Sequence, residues 1–104
     1  MLLAYLQHRS AAEIARLARA VQPESDPEMN YFSAAHLAYA GDPDAALPLL
    51  KLAVDDGYCS YPAMDSDFLL ARARSRPGFQ EIRSAGMACR DAFLSAAAGK
   101  VSAR

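Results

Sequence analysis

The 104-residue sequence lacks any apolar run close to the roughly 20 residues that a membrane-spanning helix needs. Its first six residues lack the basic start and the cleavage site of a secretory signal. It has only two cysteines, Cys59 and Cys89, and they lie too far apart for a CxxC motif. We therefore expect a cytoplasmic protein whose cysteines stay thiols, although a disulfide between them remains open.

The motifs of common catalytic and metal sites are also missing. Neither His8 nor His36 has an HExxH partner or a Cys/His cluster around it, so we expect no metal site. The five glycines are scattered and form no phosphate-binding loop. An enzyme would have to use Cys59 as its nucleophile, and no neighbouring base in the sequence activates it. The sequence therefore predicts no cofactor and no enzymatic activity.

What is present is an alanine-rich chain with 53% hydrophobic and 22% charged residues. This balance is typical of a globular protein, and the length suits one domain. Because the apolar content comes from alanine rather than from β-branched residues, we predict an all-α fold of about five helices. The predicted single domain spans 1–104, with a first helix at 2–21, a helical hairpin at 27–57, and an aromatic loop plus capping helices at 58–98.

The first predicted helix rests on apolar residues that recur at three- and four-residue steps. These residues are Leu3, Leu6, Ile14, Leu17 and Val21. Ser10 followed by Glu13 also matches a capping box, which leaves open a helix that begins only at Ala11.

Two Asp-Pro steps, at Asp26-Pro27 and Asp42-Pro43, predict the starts of the hairpin helices. The aspartate accepts hydrogen bonds from free backbone amides, and proline at the first helical position loses none. The helices should end at Gly41 and Gly57, with Gly41 in a left-handed conformation. Pro48 inside the second helix predicts a kink, unless Asp44 is the effective cap.

Beyond Gly57 the aromatic loop that ends at Pro62 should pack back onto the helices. Asp65 is the expected cap of a short helix at 66–73 that directs Phe68 and Leu69 inward. Pro77 should open the last helix. Its predicted buried stripe consists of Phe79, Ile82, Gly86, Cys89 and Phe93.

Charge is segregated along the chain. Residues 1–70 hold ten acidic against four basic residues, a net charge of −6, and residues 71–104 hold seven basic against two acidic ones, a net charge of +5. We interpret this as attraction between the two halves, within one chain or across a dimer. Arg76, Arg83 and Arg90 recur every seven residues and form a candidate face for an acidic partner, with a solvated or salt-bridged face as the simpler interpretation. A pI near 6.0 argues against nucleic acid.

Residues 30–54 resemble one tetratricopeptide repeat, a pair of helices with small residues where they touch. The positions that carry the resemblance are Ala34 and Leu37 in the first helix, Gly41-Asp42 in the turn, and Ala46, Leu50 and Ala53 in the second helix. The following Gly-aromatic loop, short helix and Pro-Gly-Phe step resemble the terminal segment of bacterial tetratricopeptide-repeat proteins. The sequence departs from the pattern at Pro48 and at Arg76, which precedes Pro77 where such segments often carry aspartate.

This resemblance implies a fragment of a right-handed α-α superhelix that binds a protein or peptide, or serves as a scaffold, through a groove lined by the first helix of the pair. The implied groove residues are Tyr31, Ala34, His36 and Tyr39. The alternative is a homodimer that pairs through the first or last helix, with the acidic and basic faces in contact.

Overall fold

The structure, a computed structural model, describes residues 7–8 and 10–102, with side chains described up to Ala98. This part of the chain holds five α-helices and one turn of 3₁₀ helix, and no strand. The helices are α1 (Ala11–Arg19), α2 (Pro27–Ala40), α3 (Pro43–Asp55), α4 (Ala63–Ser66) and α5 (Phe79–Ser102), with the 3₁₀ turn at Phe68–Leu70. The predicted all-α fold class is confirmed.

Helix α1 begins at the capping box. The hydroxyl of Ser10 accepts a hydrogen bond from the backbone N–H of Glu13 at 3.2 Å. Residues 7 and 8 form a turn in which His8 has a φ of 57°. The single helix predicted at 2–21 is therefore wrong, and the alternative start at Ala11 is confirmed; residues 1–6 and 9 of that segment lie outside the described residues.

Helices α2 and α3 pack against each other as the predicted hairpin. Asp26 accepts a hydrogen bond from the Glu28 amide, and Asp42 accepts from the amides of Asp44 and Ala45, so both Asp-Pro predictions are confirmed. The proposed Asp44 cap is wrong.

The backbone around these helices differs from the prediction at one glycine. Gly41 has a φ of −117° and is not left-handed, whereas Gly57 has a φ of 103°. The amide of Gly41 still bonds to the carbonyl of Leu37, which ends α2 without a left-handed residue. Pro48 lies within a continuous α3, and its kink stays a prediction.

The core lies where α3 packs against α2 and against α5. Four alanines of the two hairpin helices are fully buried in this core. They are Ala34, Ala38, Ala46 and Ala53. Larger side chains from α4, the 3₁₀ turn and α5 fill the remaining space, so the chain after the hairpin completes a core that two helices alone could not close. They are Met64, Leu70 and Phe79.

The aromatic loop packs onto the hairpin. The centre of the Tyr58 ring lies 5.3 Å from that of Tyr31 in α2. The short helix predicted at 66–73 is wrong. Asp67, not Asp65, is the cap, since its Oδ1 accepts from the Leu69 amide at 2.9 Å and starts a 3₁₀ turn. The inward direction predicted for Phe68 is also wrong, because that side chain is 69% exposed.

Helix α5 follows Pro77 and buries Phe79 and Ile82 as predicted. Cys89, predicted to be a free buried thiol, is instead bonded to Cys59, with the two Cα atoms 5.4 Å apart. Phe93, predicted on the buried stripe, is 69% exposed. A periodic stripe indicates which face of a helix is apolar but not where its neighbours end, and α5 continues beyond the body that it packs on.

Candidate interaction surface

Two ion pairs connect the acidic and basic halves of the chain. Arg76 binds both carboxylate oxygens of Asp44, at 2.7 and 2.6 Å, and Arg83 Nε binds Asp65 at 2.8 Å. These hydrogen bonds hold the pKa of each carboxyl below its ordinary value. The predicted attraction between the halves is therefore satisfied within one chain by these pairs.

The predicted basic face is largely engaged with the protein itself. Besides the two ion pairs, the guanidinium carbons of Arg83 and Arg90 lie 5.5 and 5.9 Å from the centre of the Tyr61 ring. Such cation–π contacts favour fixed positions for these side chains. Arg76, Arg83 and Arg90 thus each contact another side chain of the same chain, while Arg76 and Arg90 remain exposed, and their role towards an acidic partner stays a prediction.

The predicted groove residues separate into two groups. Tyr31 and Ala34 lie inside the core, and the Tyr31 hydroxyl donates to Asp67 Oδ2 at 2.6 Å. Burial and this carboxylate raise the pKa of Tyr31, so the phenol keeps the proton that it donates. His36 and Tyr39, on the same helix, are partly exposed. Only these two can contact a partner without rearrangement of the core.

His36 and Tyr39 belong to a longer apolar surface that the sequence analysis missed. We call it the α2 face; it consists of Met29, Phe32, His36, Tyr39 and Phe68. Met29 and Phe32 are 41% and 42% exposed, and the ring of Phe68 lies 5.4 Å from that of Tyr39. The spacing of three, four and three residues places its α2 members along one side of the helix, over about 15 Å. Extension of the His36–Tyr39 period backwards along α2 would have found Phe32 and Met29.

The ends of the α2 face carry opposite charge. Exposed Glu24, Asp26 and Glu28 surround the start of α2. At the other end, Arg72 Nη1 donates to the carbonyl of Tyr39 at 3.1 Å. An extended partner that lies along this face would therefore meet acidic groups at one end and a guanidinium at the other.

A second exposed surface is the distal part of α5, which we call the α5 arm and define as residues 90–98. Every side chain in this range is exposed, including Phe93 and Leu94. At 1.5 Å per residue the arm is about 13 Å long. The sequence analysis placed Phe93 on the apolar stripe of α5 and predicted that it would be buried in the core, whereas it is exposed.

Two cavities lie beside helix α3 and beside helix α1, and both are lined by apolar and by charged side chains. One of about 400 Å³ lies between α3 and the start of α5, against Leu47, Pro48 and Ile82. Another of about 400 Å³ lies beside α1 and is lined mainly by Ile14 and small side chains. Among residues 7–8 and 10–102, no group of three or more His, Cys, Asp or Glu side chains could hold a metal ion.

Two further findings concern the class of protein. No helix within the described part of the chain is both long and apolar enough to cross a bilayer. No protein-family model, curated protein or solved structure matches the chain.

Proposed function

We propose that this chain is a non-enzymatic protein- or peptide-binding module of tetratricopeptide-like design, and that the α2 face is its binding surface. The observation that carries the proposal is the exposure of Met29, Phe32 and Phe68 beside Tyr39 on one side of the hairpin. Contiguous apolar patches of this kind are typical of interaction sites on otherwise polar surfaces.

The composition of the face supports a protein ligand. Aromatic side chains and methionine are enriched in protein interfaces, because each buries a large apolar area for few rotatable bonds. Each such side chain that becomes fully buried contributes about 1.5–3 kcal/mol before the costs of association. Phe32, Phe68 and Tyr39 are the candidate anchors.

The face also agrees with the resemblance to tetratricopeptide repeats, in which the first helix of each pair lines the ligand groove. His36 and Tyr39 keep the role that this resemblance gives them, and Phe32 and Met29 take the positions that Tyr31 and Ala34 were expected to hold. The disulfide weighs against the expected cytoplasmic localisation, because cytosolic proteins rarely keep structural disulfides.

A displayed library of random peptides tests the proposal. We expect the wild-type protein to select peptides that no longer bind after Phe32→Glu with Phe68→Glu. Gln80→Glu, an exposed change on α5 outside the α2 face, is the matched control and should leave binding unchanged. Selected peptides that bind the double variant as well as the wild type would place the binding surface elsewhere.

A further inference from the structure

We propose that the α2 face is occupied by the α5 arm of a second copy of this chain, and that two copies exchange arms around a two-fold axis. The inference rests on the proposed binding role of the α2 face and names its partner. It joins two exposed apolar surfaces of the same protein: Phe93 and Leu94 on the arm, and Met29, Phe32 and Phe68 on the face.

One chain cannot bring these surfaces together by itself. Helix α3 packs against both α2 and α5 and lies between them. The arm belongs to the same continuous helix as Phe79 and Ile82, which are fixed in the core, and the disulfide at Cys89 holds that helix immediately before the arm begins. A helix held in this way cannot fold back across α3, so contact between the arm and an α2 face requires a second molecule.

The two surfaces match in length. The arm covers about 13 Å and the α2 members of the face about 15 Å, so the one helix segment is long enough to lie along the other. A two-fold axis makes this contact twice, because each copy supplies one arm and one face. The doubled contact brings the buried area closer to that of a stable dimer than one arm could.

Charge complementarity selects the direction of the arm. In an antiparallel alignment Phe93 and Leu94 lie near Tyr39 and Phe68, and Asp91 at the start of the arm lies near Arg72. A parallel alignment would place Asp91 at the acidic start of α2 and away from Arg72, so charge favours the antiparallel one.

Sedimentation equilibrium of the full chain under non-reducing conditions tests the inference. We expect a dimer at about 100 μM, well above a micromolar dissociation constant. Phe93→Glu should weaken it about thirtyfold or more, the usual effect of losing an interface anchor, and Phe32→Glu should do the same from the other side of the contact. Circular dichroism should stay unchanged, because both side chains are exposed.

A charge exchange tests the alignment. Asp91→Arg and Arg72→Asp should each weaken the dimer about tenfold, because each places like charges together, and the double variant should recover it. Glu81→Arg, an equal change of charge at an exposed position of α5 outside the arm, should have no effect on the dimer.

A monomer at about 100 μM overturns the inference. It does not test the proposed peptide-binding function, which the peptide library tests separately. A dimer that survives Phe93→Glu is built on another surface and also overturns it. The same holds for a dimer that Phe93→Glu dissociates but Phe32→Glu does not, since the arm would then bind elsewhere. Failure of the double charge variant to recover the dimer contradicts the antiparallel contact on which the inference depends.

Discussion

Gly86 is a residue at which α5 lies close to the loop that contains Cys59. A Cβ atom built there would lie 2.7 Å from Met64 Cε and 2.8 Å from the backbone oxygen of Cys59. The methionine end can move, but the Cys59 carbonyl belongs to a residue that the disulfide ties to α5. A methyl group at position 86 therefore has to push the helix away from the loop.

We expect Gly86→Ala to lower the free energy of unfolding by about 1–2 kcal/mol. The overpacking cost of about 1–3 kcal/mol exceeds the gain of up to about 1 kcal/mol that alanine gives a helix interior. Ser84→Ala, an exposed change on the same helix, should instead be neutral or slightly stabilising. Urea unfolding of the three proteins measures the difference; a Gly86→Ala variant as stable as Ser84→Ala would mean that the loop yields at no cost.

Single residues could be predicted from the sequence where a local pattern decides their role. Gly86 was placed on the buried stripe of α5 by its spacing, and Asp26 and Asp42 were placed as caps by the prolines that follow them. Asp65 and Asp67 could not be told apart, because both fit a cap. The choice depends on Arg83, 18 residues away, which binds Asp65 and leaves Asp67 as the cap.

Helix α3 is the element that carries the least favourable residue. Pro48 is exposed and lies inside the helix, where its ring prevents the hydrogen bond to the carbonyl four residues earlier. The helix forms nevertheless, because its other side buries Ala46, Leu50 and Ala53 completely. Tertiary packing here outweighs local helix propensity.

Pro48→Ala should therefore stabilise the protein by about 1–3 kcal/mol, since it restores a backbone hydrogen bond at an exposed position and removes no core contact. Pro43→Ala is the matched control. That proline occupies the first helical position, where no hydrogen bond is lost, so its replacement should change stability by well under 1 kcal/mol. Thermal and urea unfolding should agree; a Pro48→Ala variant less stable than wild type would show that the proline contributes packing that we have not recognised.

At the level of elements, the residue at which a helix starts was easier to predict than which of its side chains are buried. The Asp-Pro steps and the Ser10 capping box are local, and all three caps form. The α5 stripe is also local, but burial of its members depends on where the body ends. This is why Phe79 and Ile82 were placed correctly and Phe93 was not.

The whole molecule is elongated, with principal extents of 58 × 26 × 18 Å and a radius of gyration of 15.5 Å. A compact chain of this length would have a radius of gyration of about 13 Å. The exposed α5 arm accounts for part of the difference. The sequence could predict the helical class, which follows from composition, and the attraction between its two halves, which follows from the distribution of charge along the chain. It could not predict the α2 face, which depends on Phe68 reaching Tyr39 from a separate segment.

The disulfide could not be predicted from the sequence either, because its formation depends on the loop at Cys59 returning to α5. Removal of the bond measures how much it contributes to the stability of the fold. The two cysteines are separated by 30 residues, and closure of a loop of that size raises the free energy of the unfolded chain by about 3–4 kcal/mol, because it reduces the number of conformations available.

We expect Cys59→Ser with Cys89→Ser to lower the free energy of unfolding by about that amount. Helical circular dichroism should persist at neutral pH, because Phe79, Ile82 and the Asp65–Arg83 pair still hold α5 to the core. Urea unfolding with and without dithiothreitol supplies the control: reductant should bring the wild type close to the double variant and leave the double variant unchanged. A difference below about 1 kcal/mol would mean that the unfolded chain is already compact enough for the bond to restrict it little.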